Sequence, residues 1–397
     1  MRVAYVVPRY GPQVTGGAET GARMFAERLV SERRWQVEVY TTCALDHLTW
    51  DDVLAPGTET IAGVRVHRFA SRAGRDPGFH PFSGALLADP ESASFEEAER
   101  WVDLQGPITP ELVDAVARSD ADVVVFYPYL YYPTVRGVPA VAGPVVMHPA
   151  AHDEPALRLP VFPPVFHRVD GFVFQTRGER RLVTERFGVG AVPQVLLGLG
   201  VEERPGDPQA ARQAFGLGDA PYLLCLGRVD HMKGTDLLAH YFSVYKERHG
   251  TPLKLVLAGP VIDPPDPHPD VVVAGIVDET SKWGLLRTAA ALVSPSPWEA
   301  FSLVVVEAMA CGTPVLVHAG CAATREHCEQ SAAGMWFGGY GELEVAIELL
   351  SNDRARRAAM GDRGRRYVDR HFRWPVILDR YTRFLSRVAE LAQRSER

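Results

Sequence analysis

The chain has 397 residues, too many for one ordinary hydrophobic core, so two domains are expected. With 46% hydrophobic and 23% charged residues, the composition excludes an intrinsically disordered protein. The formal net charge of −7 argues against general nucleic-acid binding, which needs a basic excess, and leaves room for a local basic pocket.

The chain opens with MRVAYVVPRYG, whose apolar run is too short for a signal peptide. Strands are expected at Val3–Val7, Val37–Thr41, Val64–Phe69, Val123–Tyr127, Val145–Met147 and Gly171–Phe174. Amphipathic segments at Thr20–Arg33 and Pro110–Arg118 lie among them. Leu199–Pro208 is rich in glycine, proline and charge and reads as a hinge. Beyond it, strands are expected at Tyr222–Leu226, Leu253–Ala258, Val271–Ala274, Ala291–Ser294 and Pro314–Val317. Helices are expected at Gly234–Arg248, Lys282–Ala289 and Leu303–Ala310, and a long amphipathic helix at Trp374–Ala392.

Buried β-branched runs spaced by helices imply parallel sheets with crossover connections. The fold class is therefore α/β, with two Rossmann-like domains whose parallel sheets face across a cleft. In such an arrangement the carboxyl ends of the strands surround the ligand. No stretch approaches the roughly 20 apolar residues of a membrane span. Five cysteines, Cys43, Cys225, Cys311, Cys321 and Cys328, form no C-x-x-C pair, so free thiols in a cytoplasmic protein are expected. Docking on a membrane surface stays open.

Several strand ends carry chemistry. After the first strand, PRYGPQVTGGAE places Gly16 and Gly17 before a helix, where bare backbone amides come close to phosphate oxygens. A glycine pair alone more often marks a turn. Glu19 is read as a first-turn helix charge rather than an acceptor contact. Val145–Met147 leads into HPAAHDEP, where His148 reads as a satisfied core histidine. GRVDHMKG delivers Arg228 and Lys233 at a strand-to-helix loop, where two cations suit a leaving diphosphate in place of a metal, although an exposed basic loop is the commoner fate of such a pair. PSPWEAFSLVVVEAMACGTPVLV puts Glu299 in a loop and Glu307 on the following helix, with the amides of Phe301, Ser302 and Leu303 free at the helix start. A glutamate pair is usually surface charge, a reading weakened here by the buried strand before it. The DAD at Asp120–Asp122 resembles an Asp-x-Asp metal site but precedes its strand, so it reads as a solvated turn. No histidine–cysteine cluster has zinc spacing.

Pro295–Val317 resembles the E-x7-E motif of the family 4 glycosyltransferases, which have the GT-B fold. Gly227–Gly234 is similar to that family's G-R-x4-K-G motif, and Gly16–Glu19 to its GGxE loop. The resemblance implies a retaining transfer of sugar from a nucleotide-diphosphate sugar to an acceptor hydroxyl, with no metal or other cofactor. It implies that Glu299 lies beside the donor sugar, that Glu307 holds the ribose hydroxyls and that His152 contacts the sugar. Main-chain groups at Ile276 and Val277 would meet the base. The family commonly has glycine after the phenylalanine; here Ser302 stands there and narrows the sugar pocket. The layout implied is an acceptor-side domain over 1–200, a donor domain over 201–373 and a 374–397 helix returning to the first domain. The acceptor (saccharide, lipid-linked or small molecule) is undetermined, and Gly74–Leu87 is read as an acceptor-side loop. A GT-B nucleotide-sugar epimerase and a non-catalytic donor-binding subunit are the alternatives; intact Arg228, Lys233, Glu299 and Glu307 weigh against the second.

Overall fold

In the first half, Val-rich strands buried on both faces have only parallel neighbours to pair with, and the sheet that forms is almost wholly parallel. A computed structural model describes residues 1–14 and 16–395; Thr15 and the last two residues of the expected 374–397 segment lie outside the described residues. The strands are β1 Arg2–Val6, β2 Gln36–Thr42, β3 Gly57–Ile61, β4 Val64–Phe69, β5 Val123–Phe126, β6 Val145–Met147, β7 Gly171–Phe174 and β8 Gln194–Leu196. Their order is β3-β4-β2-β1-β5-β6-β7-β8. Only β3 runs antiparallel, paired with β4 through a tight turn in which Ala62 and Gly63 both have positive φ.

The second half holds β9 Tyr222–Leu226, β10 Lys254–Ala258, β11 Val271–Gly275, β12 Ala291–Ser294, β13 Val315–His318 and β14 Gly334–Phe337. All are parallel, in the order β11-β10-β9-β12-β13-β14. Each sheet thus starts at a central strand and adds strands outward on both sides. The order reverses between β1 and β5 in one and between β9 and β12 in the other. At such a switch point the loops leave in opposite directions and open a crevice at the strands' carboxyl ends.

The chain forms two units: Met1–Gly198 with the residues from Leu378 onward, and Leu199–Ile377. The last helix, Trp374–Ser395, contributes most of its length to the first unit. There Tyr381 reaches the sheet, its hydroxyl 2.6 Å from that of Tyr5 and 3.0 Å from His148 Nε2. Close approach depends on Gly171, where an added Cβ would lie 2.8 Å from Val388 Cγ2 and 3.0 Å from Phe384 Cζ. All five cysteines are buried free thiols. Among the described residues no helix is long and apolar enough to cross a membrane.

One sequence expectation needs correction. Gly74–Leu87 is not simply a loop: Phe79–Ala88 is a helix, anchored where buried Phe79 packs on Trp101. The Asp120–Asp122 turn is solvated as expected, with Asp122 accepting from the Arg2 amide at 2.7 Å and Asp120 pairing with the Arg2 side chain.

The Gly171 contact has a measurable consequence. Gly171→Ala should destabilise the first unit by about 1–3 kcal/mol through overpacking, read as a lower urea midpoint. An unchanged midpoint would mean that the tail helix is not seated there.

Candidate functional site

In the second unit, β9 and β12 are neighbours, so the loops that leave their carboxyl ends are adjacent. The β9 loop carries Arg228 and, in a short 3-10 turn His231–Lys233, Lys233. Asp230 organises it: its carboxylate accepts from the Lys233 amide at 2.7 Å and pairs with Arg228. The β12 loop carries Glu299, whose Oε1 lies 2.6 Å from Lys233 Nζ. Both side chains are partly exposed, so solvent screens the pair and little stability rests on it. What it does is hold the ammonium and the carboxylate in place at the crevice.

Phe301, Ser302 and Leu303 follow at the start of the helix Leu303–Ala310. Among the described residues, none of their three amides has a protein acceptor. Ser302 is nearly buried and left-handed, at φ 65 and ψ 79. That conformation suits glycine and strains a residue with a Cβ. Phe301 is buried, and its carbonyl accepts from His327 Nε2 at 2.9 Å. Burial pulls the His327 pKa down to about 4, so the ring is neutral at pH 7. With Nε2 donating to the carbonyl, Nδ1 is the acceptor nitrogen, 3.0 Å from the Tyr367 hydroxyl.

Glu307, on the same helix, is buried, and its Oε1 accepts from Lys282 Nζ at 3.0 Å. Burial raises the carboxyl's pKa, and Lys282 opposes that rise. Among the described residues no protein donor reaches Oε2. Ile276 and Val277 follow β11 at the same end of the sheet; the Ile276 side chain is 79% exposed.

The remaining candidates belong to the first unit. Gly16 and Gly17 follow β1 at its switch point and begin the helix Gly17–Arg33. A Cβ on Gly16 would sit 2.3 Å from Glu19 Oε2 and 3.1 Å from Arg9 Nη2, whereas one on Gly17 would meet nothing. Glu19 is therefore more than a first-turn charge. It is buried in an ion pair with Arg9 at 2.5 Å beneath the glycines. His148, after β6, is fully buried, stacks on Tyr127 with centroids 4.7 Å apart, and has its pKa pulled down to about 3 by burial. His152 is partly exposed, with Nε2 3.7 Å from Glu154 Oε2; Asp153 turns away to Arg158 at 2.7 Å. Glu154 is itself held by the Tyr129 hydroxyl at 2.8 Å.

The sequence reading thus located the loops and missed the residues that fix them: Arg9, Glu179, Asp230, Lys282 and His327. A signal existed for two of these. Asp230 caps the turn three residues ahead of Lys233, and Thr176-x-x-Glu179 is a capping-box pattern. Among the described residues no group of three or more His, Cys, Asp and Glu side chains is placed to hold a metal ion.

Residues 207–367 match the family described as Glycosyl transferases group 1. A D-inositol 3-phosphate glycosyltransferase 2 of Catenulispora acidiphila is 33% identical over 184 residues, 41% of this chain and 43% of the relative. The chain therefore matches less than half of that relative's length. A D-inositol 3-phosphate glycosyltransferase of Thermobispora bispora is 27% identical over 82% of this chain and 87% of its own. Among solved structures, sucrose-phosphate synthase from Thermosynechococcus elongatus has TM-score 0.72 and 18% identity, covering 98% of both chains. Anabaena HepE, in complex with UDP and glucose, has TM-score 0.69 and 16% identity, covering 97% of this chain and 99% of its own. At these identities the likeness shows the fold: α/β, with the two parallel-sheet units of GT-B glycosyltransferases.

Two variants check the local physics. Ser302→Gly relieves the left-handed strain and should raise the second unit's Tm by about 2–4 °C; a lower Tm would show that the serine side chain is itself stabilising. His327 takes up a proton in the unfolded chain below about pH 6.5 but not in the fold until about pH 4, so stability is lost as pH falls through that window. By pH 5 the loss is about 2 kcal/mol. His327→Gln keeps a donor for Phe301 and an acceptor for Tyr367, and should flatten the pH dependence of unfolding between pH 7 and 5. An unchanged slope would assign the acid sensitivity to other groups.

Proposed function

We propose that the protein is a retaining glycosyltransferase that moves a sugar from a nucleoside-diphosphate sugar to an acceptor hydroxyl without a metal ion. The observation that carries this reading is the juxtaposition of Arg228, Lys233 and Glu299 on the loops of neighbouring strands β9 and β12. The Lys233 ammonium and Arg228 guanidinium are held by carboxylates and aimed where charge builds on a departing diphosphate. Glu307 offers a buried, lysine-paired carboxylate with Oε2 left for ribose hydroxyls. The open amides of Phe301, Ser302 and Leu303 suit a hydroxyl-rich, anionic ligand. Main chain at Ile276 and Val277 meets the base.

The family match over 207–367 and the inositol-phosphate transferase relatives support the class of reaction. A structural neighbour solved with UDP and glucose supports a nucleotide-sugar donor. In the reaction proposed, the bond from the anomeric carbon to the phosphate oxygen breaks and its electron pair leaves with the diphosphate. The acceptor oxygen attacks from that same face, and its proton passes to the departing phosphate oxygen. The protein orients and neutralises; it forms no covalent intermediate. The family resemblance assigns His152 a contact with the donor sugar. The acceptor class is left open by the side chains themselves.

The donor is identified by a thermal-shift panel of UDP-glucose, UDP-N-acetylglucosamine, GDP-mannose and ADP-glucose, since a ligand of the native state raises its Tm. With the selected donor, Arg228→Ala and Lys233→Ala should each lower kcat on the order of a thousandfold, with smaller changes in KM. Because both act on the same phosphates, the double variant should lose less than the product of the two. Turnover of the native protein should persist in excess EDTA. Loss of turnover in EDTA with recovery on adding magnesium would refute the metal-free reading, and near-normal kcat in both alanine variants would refute the residue assignment.

A further inference from the structure

Between β6 and the short 3-10 turn Pro155–Arg158, the Pro149 carbonyl accepts from the Tyr129 amide at 3.0 Å and the His152 carbonyl from the Glu154 amide at 2.8 Å. Between these two bonds Ala150 is left-handed, at φ 53. A non-glycine residue in that region costs on the order of 1–3 kcal/mol and persists only where its surroundings impose it. The imposing group is Glu179, in the first turn of the helix Arg177–Phe187. It is 3% exposed. Its Oε1 accepts from the Ala151 amide at 3.0 Å and its Oε2 from the Gln175 amide at 2.6 Å. One carboxylate therefore ties the loop after β6 to the loop after β7, immediately before His152.

A capping box alone would not account for this. The capping function is already served by Thr176, whose hydroxyl accepts from the Glu179 amide at 3.1 Å. The Ala151 bond reaches across 28 residues to another loop. Burial opposes the charge, pushing the carboxyl up to about 7, and the accepted backbone N–H bonds work against that. A buried carboxylate kept under such opposition is an expensive way to cap a helix.

We propose that Glu179 is the positioning residue of His152: its carboxylate sets the Ala150–Ala151 turn that presents the imidazole. The functional side of this proposal rests on the reading that His152 meets the donor sugar; the geometric side does not. Glu154 lies 3.7 Å from the ring, while Glu179 holds the backbone that carries it.

The test uses the full-length protein with isotope-labelled histidine, and His152→Ala assigns the His152 ring signal. Glu179→Gln keeps the shape but has one acceptor oxygen, so it cannot serve both amides. In this variant the His152 signal should shift or broaden, while that of buried His327 stays put. If the variant does not fold, Glu179→Asp, too short to reach Ala151 but still able to serve the helix start, carries the same measurement. An unmoved His152 signal overturns the proposal. Turnover is then measured with the nucleotide sugar selected by the panel above. Glu179→Gln should lower kcat on the order of ten- to a hundredfold with donor KM nearly unchanged. In the His152→Ala background it should cause no further loss. An equal additional loss in that background overturns the proposal, since Glu179 would then act otherwise than through His152. If His152→Ala alone keeps full turnover while the NMR signal moves as expected, the catalytic reading of His152 has failed and the positioning has not.

Discussion

The 2.6 Å contact between Lys233 and Glu299 joins two loops separated by 66 residues in sequence. It forms because β9 and β12 lie side by side where strand order reverses, so that parallel pairing delivers both loops to one end of the sheet. The remaining second-unit candidates depend on that arrangement. Asp230 sets the cationic loop, and the β12 loop leads through Phe301 and Ser302 into the helix that carries Glu307. A partly exposed ion pair contributes little to folding. Its value, on the function proposed, is to hold opposite charges in register until an anionic ligand competes for the cation.

The same economy governs the backbone. Ser302 and Ala150 both occupy left-handed conformations that a side chain disfavours, and each lies beside a candidate residue. Each is backed by a buried group: His327 on the Phe301 carbonyl in one case, Glu179 on the Ala151 amide in the other. Strain of this kind persists where surrounding hydrogen bonds over-determine the chain. A glycine after the phenylalanine, common in the family that the sequence resembles, would suit this backbone, since φ 65 is a glycine conformation. The serine is tolerated at a cost.

Much of the fold was legible because parallel strands advertise themselves. Val64–Phe69, Val145–Met147, Gly171–Phe174, Tyr222–Leu226 and Ala291–Ser294 coincide with their strands, and Leu303–Ala310 with its helix. The strand Gly57–Ile61 escaped because GTETI is polar and lies at an exposed edge, where no apolar run is needed. Gln194–Leu196 and Gly334–Phe337 are short, partly buried edge strands with little signal to read. In the site, loops that follow strands could be found from local pattern, because a strand end fixes where a loop begins. Partners could not: Lys282 meets Glu307 across 25 residues and Glu179 meets Ala151 across 28, and nothing local in the sequence encodes either pairing. Glu19 is the first-turn charge expected, and what the local pattern could not show is its burial against Arg9.

The central claim is that the β9 and β12 loops hold the diphosphate and ribose of a sugar nucleotide. A crystal structure of the protein soaked with UDP tests it most directly, with the panel's preferred nucleotide diphosphate substituted if UDP does not bind. The account predicts phosphate oxygens within hydrogen-bond distance of Arg228 and Lys233, ribose hydroxyls on Glu307 Oε2, and the Lys233–Glu299 contact lengthened or broken. A nucleotide bound away from these loops, or seated there with its ribose clear of Glu307 and the Lys233–Glu299 pair unchanged, would contradict it.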